Sequence, residues 1–258
     1  ADVVIWTTTP WTIPSTRGVV YHQDISYGVY EVTAAPDDNW VKTGERILLA
    51  DKQAASVLEK ARVESFARIS DAGDLSNTSL SHPLAGMEGS DGEWDEPRDF
   101  RAAPFVTEED GTGFVHCAPS HGMDEFELYR DAGMLEQVLT YNVMEDGAMR
   151  ADLPFFGGKR ILKPNGKEGN VNAAVIEKLA ESGKLLARGK IKHSYPHSWR
   201  SKAPLIYRNT PQWFAAIDRP VGDNQDEFGK TIRERALNSI DKMVEWTPKT
   251  GRNRLYSM

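Results

Sequence analysis

A chain of 258 residues, 40% hydrophobic and 27% charged, has the mass and balance for a sizeable apolar core in one large domain or two small ones. A net charge of -7 argues against a general nucleic-acid coat, which needs clustered Lys and Arg, and leaves room only for a local basic groove. No stretch approaches the roughly 18 apolar residues of a membrane helix, and the N-terminal ADVVIW lacks the basic region of a signal peptide.

In chain order, VVIWTTT (3–9) and GVVYHQDISYGVYEV (18–32) are rich in β-branched and aromatic residues and predict strands. TGERILLA (43–50) predicts another strand, followed by a helix over 51–63 with Asp51 as its cap. Residues 71–99 carry many Ser, Gly, Pro and Asp and read mostly as loop, with a short strand or two. Asp110-Gly111 and Gly113 form a turn signal that feeds an apolar strand through His116. The next segment, 120–134, reads as a helix with Ser120 as cap and Gly133 near its end. Two more helices are expected, one over 170–186 ending at Gly183 and one over 228–240. Strands cluster in the first half and helices interrupt them without regular βαβ alternation. That order predicts an α+β fold, with a curled sheet or barrel as core and peripheral helices. Neither repeats nor low-complexity tracts are visible. The start without Met and the close at GRNRLYSM, which carries no helix-stop or turn signal, read as a piece of a longer chain. A single cysteine, Cys117, cannot close an internal disulfide, which fits a reducing, cytoplasmic setting.

Thr7, Thr8, Thr9 and Thr12 offer hydroxyls, and His116 and His121 offer imidazoles. A nucleophilic triad calls for one hydroxyl on a strained elbow, and the G-x-S-x-G motif is absent. Several adjacent threonines look instead like a hydrogen-bonding wall. His116 and His121 are five residues apart, which misses the i, i+4 spacing of a zincin helix. HSYPHSWRSK (193–202) has two histidines and no cysteine, so no zinc knuckle forms there, and no metal is expected. Hydroxyls, a histidine and the carboxylates Asp124 and Glu125 could together hold an amino-acid ester by its amine and place a water on its carbonyl. Alone, WTTTPWT reads as a strand end packed by two tryptophans, and GTGFVHCAP as a hairpin with a buried histidine.

Taken together, WTTTPWTIPSTRGVVYH and GTGFVHCAPSHGMDEF resemble the two signature segments of the editing domain of isoleucyl-tRNA synthetases, the connective peptide 1 insertion of class I synthetases. HSYPHSWRSKAPLIYRNTPQWFAAID resembles the segment that follows in the same family. Valyl and leucyl editing domains carry Arg where this chain has Thr9.

The resemblance implies the editing-domain fold, with a core over 1–218 and a helical segment over 219–258 that returns to the synthetic domain. It implies hydrolysis of valine wrongly attached to the isoleucine tRNA. This amino-acid pair is itself the standard illustration of a weak discrimination: one methylene is worth only about 1–3 kcal/mol in an apolar pocket. By similarity, Thr7, Thr8, Thr9 and Thr12 form the catalytic hydroxyl wall, stiffened by Trp6, Trp11 and the prolines. His116 stands opposite and limits pocket size, and Thr16 occupies a position where the family often has Asn. The family's amine-binding Asp lies nine residues after the histidine, where this chain has Glu125, preceded by Asp124; either can hold the ammonium. The implied partners are the 3′ end of tRNA(Ile), mischarged valyl-tRNA and the rest of the synthetase chain, with no membrane. Basic residues at Lys159, Arg160, Lys163 and Lys167, and at Arg188, Lys190, Lys192, Arg200, Lys202 and Arg208, are the candidates to meet the tRNA. No cofactor is expected in this segment: ATP and Mg belong to the parent synthetase, and neither the HIGH-like nor the KMSKS-like signature occurs here. The alternatives are a catalytically silent module that binds the tRNA end, and the editing domain of a valyl-type synthetase.

Overall fold

The computed structural model describes residues 1–109, 111–191, 194–222 and 228–258. The expected turn at Asp110 and the residues Lys192 and His193 lie outside the described residues. Strands and helices mix as an α+β chain should. One sheet of four strands contains β1 (Asp2–Val3), β3 (Tyr27–Ala34), β4 (Arg46–Ala50) and β5 (Ser65–Asp71) in the order β1-β4-β3-β5. The other has three strands, β2 (Gly18–Tyr21), β6 (Asp99–Ala102) and β7 (Val115–Cys117), in the order β6-β2-β7. β2 runs parallel to β6 and antiparallel to β7. Inward residues of both sheets meet in one apolar cluster: Val19 and Tyr21 from β2, Tyr27, Leu48 and Ala50 from the larger sheet, and Phe100 and Phe114. Tyr27 stacks on Phe114 at 4.6 Å and its hydroxyl donates to Gly113 O at 2.7 Å, so the sheets are fastened as well as packed.

The expected strand over 3–9 forms only at Asp2–Val3. Beyond it the chain turns into a 3-10 helix, Pro10–Ser15. Pro10 and Pro14 lack the N–H a ladder needs, and a proline at the first helical position suits a tight helix. Helix α1 (Asp51–Lys60) sets Ala54, Val57 and Leu58 on the cluster of Tyr30, Val32, Val41, Ile47 and Leu49. Asp51 is its first residue and not its cap, which is Ala50. The Asp51 carboxylate serves tertiary structure instead, accepting from Arg68 on β5, from Ser26 and from the Tyr30 hydroxyl. These donors, Arg68 foremost, hold the Asp51 carboxyl well below the usual range, while burial and then Asp51 push the Tyr30 phenol up to about 12.

Helix α2 (Met123–Asp131) is capped by Gly122, three residues into the span that Ser120 was expected to open. Ser120 is buried, and its hydroxyl accepts from the Thr140 N–H at 2.7 Å and from Asn209 Nδ2 at 2.9 Å. A short helix α3 (Leu135–Val138) follows, then α4 (Val171–Glu181), whose Val171, Val175 and Leu179 face the 3-10 helix and the Trp94 cluster. Two compact units result, Ala1–Asn209 and Thr210–Met258. The second contains α5 (Ile232–Lys242), opened by a capping box between Thr231 and Glu234, and α6 (Gly251–Tyr256).

Candidate active site

The hydroxyl run is held from three directions. Trp11 N–H donates to Asn172 Oδ1 on α4 at 3.0 Å. His82 Nε2 donates to Ile13 O at 2.9 Å, its Nδ1 accepting from the Leu84 N–H. Trp94 Nε1 donates to Pro14 O at 3.0 Å. Without these side-chain donors Pro14 O would be left unpaired, and Ile13 O would keep only the Thr16 N–H at 2.9 Å. His82 and Trp94 supply them from a loop with little regular structure, and their rings stack at 5.6 Å. Burial drives the His82 pKa down to about 3, so this histidine is a neutral strut.

On this support the threonines form a local network. Thr9 N–H donates to Thr7 Oγ1 at 3.0 Å, and the Thr7 and Thr9 hydroxyls are 3.4 Å apart. Thr12, 6% exposed, donates its hydroxyl to Thr9 O at 2.9 Å. Thr8 is exposed, and so is Trp6 at 53%. Trp6 therefore does not stiffen the wall by burial, whereas Trp11, at 5%, does.

His116 stands on β7, paired with Val19 of β2. Its Nε2 is 3.5 Å from Thr12 Oγ1 and its Nδ1 is 3.3 Å from Thr16 Oγ1. Because the Thr12 hydroxyl proton is committed to Thr9 O, Thr12 can only accept from the ring. Nε2 then carries the proton and Nδ1 accepts from Thr16. Burial, helped by the nearby His121, lowers the pKa to about 4, so the imidazole is neutral near pH 7. With both nitrogens engaged, His116 is fixed in place and a poor general base.

The second histidine of this motif is also tied. His121 Nδ1 donates to Tyr207 O at 2.9 Å, and Nε2 accepts from Ser15 Oγ at 3.0 Å. Its ring meets Trp11 edge-on at 4.9 Å. Ser15, from the first motif, also accepts from Asn142 at 3.0 Å. Three segments far apart in sequence thus meet through Ser15, His121 and Tyr207. Ser15, His82, Asn142 and Asn172 are the supports that sequence reasoning missed; only their polarity beside apolar runs hinted at them.

Asp124 and Glu125 occupy the second and third positions of α2. Asp124 is exposed, and Glu125 is half-buried with its carboxylate folded over Gly122, where any side chain would collide with it. Burial, and then Asp124, raises the Glu125 pKa. Among the described residues no hydrogen bond or ion pair joins either carboxylate to the threonines or His116. Of the basic residues, Lys163 and Lys202 come together at one groove of about 520 Å³, which also includes Pro164 and Pro204. Arg160 is paired with Asp146 at 2.5 Å. Among the described residues, no group of three or more His, Cys, Asp or Glu could hold a metal ion, and no helix is long and apolar enough to cross a membrane.

The whole chain is 66% identical to part of the isoleucine–tRNA ligase of Ruegeria pomeroyi and spans 27% of that protein. It is 46% identical to 26% of the enzyme from Rhodopseudomonas palustris and 44% identical to 26% of that from Bradyrhizobium diazoefficiens. The chain thus spans about a quarter of the curated relatives it matches. A solved chain described as the crystal structure of GlLeuRS-CP1 aligns with 53% of this chain and 48% of its own, at 19% identity and a TM-score of 0.38. No family model matches.

Proposed function

We propose that this chain, which matches a segment of isoleucine–tRNA ligases over its whole length, is a hydrolytic proofreading module that removes valine from mischarged tRNA(Ile). What supports the reading is the neutral His116 held between Thr12 and Thr16, with Thr12 bonded to Thr9 and Thr9 to Thr7. The shorter valyl ester fits beside this imidazole, and the longer isoleucyl ester is excluded. Thr7, Thr8, Thr9 and Thr12, with backbone amides and a sugar hydroxyl of the tRNA, orient the attacking water, so rate comes from positioning and preorganised dipoles rather than a covalent intermediate. Glu125 holds the substrate ammonium: its half-buried carboxyl has no ion pair among the described residues, burial raises its pKa, and an ammonium would favour its charged form. Thr16 sets the imidazole, and Trp6, whose ring is exposed, stacks on the terminal adenosine. The basic groove at Lys163 and Lys202 meets the tRNA backbone. The module works in the cytoplasm with the rest of its synthetase, where ATP and Mg serve isoleucine activation.

The test is deacylation of valyl-tRNA(Ile), with isoleucyl-tRNA(Ile) as control. The expected result is release of valine at least about tenfold faster than isoleucine. Replacing Thr7 and Thr8 together by Ala abolishes the release while the fold persists. Equal release of both amino acids, or full activity in a folded double variant, overturns the reading.

A further inference from the structure

Arg17 and Arg98 precede the parallel strands β2 and β6 at the same register, since Gly18 pairs with Asp99 and the Asp99 N–H donates to Arg17 O at 3.1 Å. Arg98 is only 3% exposed. Its Nη1 donates to Glu96 O at 2.5 Å, while its Nε and Nη2 are buried without a partner among the described residues. Arg17 Nε is likewise buried and unpartnered. Glu96, Glu93 and Asp95 attract Arg98, yet among the described residues none forms an ion pair with either arginine, and Glu93 instead pairs at 2.6 Å with Arg150, which also holds Asp152 at 2.7 Å. Burial lowers the pKa of both Arg17 and Arg98; Arg98 also feels the Arg17 cation, while Arg17 is attracted by Glu93 and repelled by Arg150.

A guanidinium carries five donors and no acceptor, and it stays charged when buried. Two of them close together, with buried donors short of acceptors and with carboxylates acting only from beyond ion-pair distance, are costly unless something supplies both acceptors and a close counter-charge. Water supplies oxygen but no charge. We propose that Arg17 and Arg98 form a phosphate-binding site beneath the 3-10 helix, with the two forks taking separate oxygens of one phosphate group. Fork-to-oxyanion pairing is the geometry in which arginine binds most strongly. His82 lies within the field of both arginines while donating to Ile13 O, so an occupied site would quiet the positive field behind the threonine wall. The site does not depend on the proofreading reading.

Thermal melts of the 258-residue chain in inorganic phosphate, against chloride at equal ionic strength, test it. Phosphate raises Tm saturably, by about 3–6 °C at roughly ten times its dissociation constant, and chloride does not. Arg17→Gln, at a partly exposed position, keeps the fold and loses the shift; Arg98→Met is a second variant whose failure to fold would leave the Arg17 result standing. Equal responses to phosphate and chloride, or an undiminished shift in Arg17→Gln, overturn the site and leave its N–H groups to water. An RNA oligonucleotide ending in adenosine distinguishes the source. If it abolishes the phosphate response, the ligand is an RNA phosphodiester; if the responses add, it is free phosphate.

Discussion

Thr8 and Thr12 share a motif but differ in what they hold up. Thr8 is exposed, and Thr8→Ala changes stability by no more than about 0.5 kcal/mol. Thr12 is buried between Thr9 O and His116; Thr12→Val leaves the His116 Nε2 proton unpaired, while Thr9 O keeps the Thr12 N–H, and costs about 1–3 kcal/mol. Urea melts of the two variants check both figures, and a Thr8→Ala variant that loses deacylation at unchanged stability isolates the chemistry. His82 and His116 carry a second expectation. Their folded-state pKa values, about 3 and about 4, lie below the ordinary 6.5. The unfolded chain therefore binds more protons between those values, and unfolding free energy falls as pH drops through that window. Their combined contribution is on the order of several kcal/mol. Ring-proton NMR should find neither imidazole titrating between pH 8 and 5, about the range an ordinary histidine spans; a midpoint near 6.5 in the folded protein defeats the assignment.

At the level of elements, the 3-10 helix depends on donors it does not contain. Trp94→Phe keeps one aromatic ring but removes the N–H that satisfies Pro14 O and part of the indole volume, at a site 1% exposed, and lowers stability by at least about 1–3 kcal/mol. Differential scanning calorimetry reads this directly, and deacylation should fall with it because Thr12 and Thr16 lose their support. Gly113→Ala is expected to be worse: its φ of +80° is left-handed, and the new methyl would collide with Ala50. These contacts explain which elements were legible in the sequence. β4, α1 and α4 announce themselves through apolar residues at strand or helix spacing. β5 does not, because all its residues are exposed and no alternation marks it. β6 has four residues in a stretch dominated by turn formers, and its parallel pairing to β2 spans about 80 positions. Thr7–Thr9 read as strand from their β-branching, yet the prolines that follow decide the local geometry. The threonines and His116 were visible as candidates through the family motifs, but the side chains that brace them lie in unpatterned loops.

All four apolar clusters draw their buried residues from Ala1–Asn209, whereas α5 and α6 bury none. A chain ending after Asn209, which keeps its Nδ2 bonds to Ser120 and Thr140 O, should melt within ~2 °C of the full chain. A markedly lower transition would mean that the second unit contributes to the core of the first. The same distribution bears on how substrate range could be redesigned. The 3-10 helix that follows the threonine run is anchored from positions 82, 94 and 172, so its shape is written largely outside the motif it displays. A library randomised only between residues 6 and 16 varies the lining of a fixed mould; to recast the mould for a bulkier ester, the changes must reach Asn172, more than half the chain away.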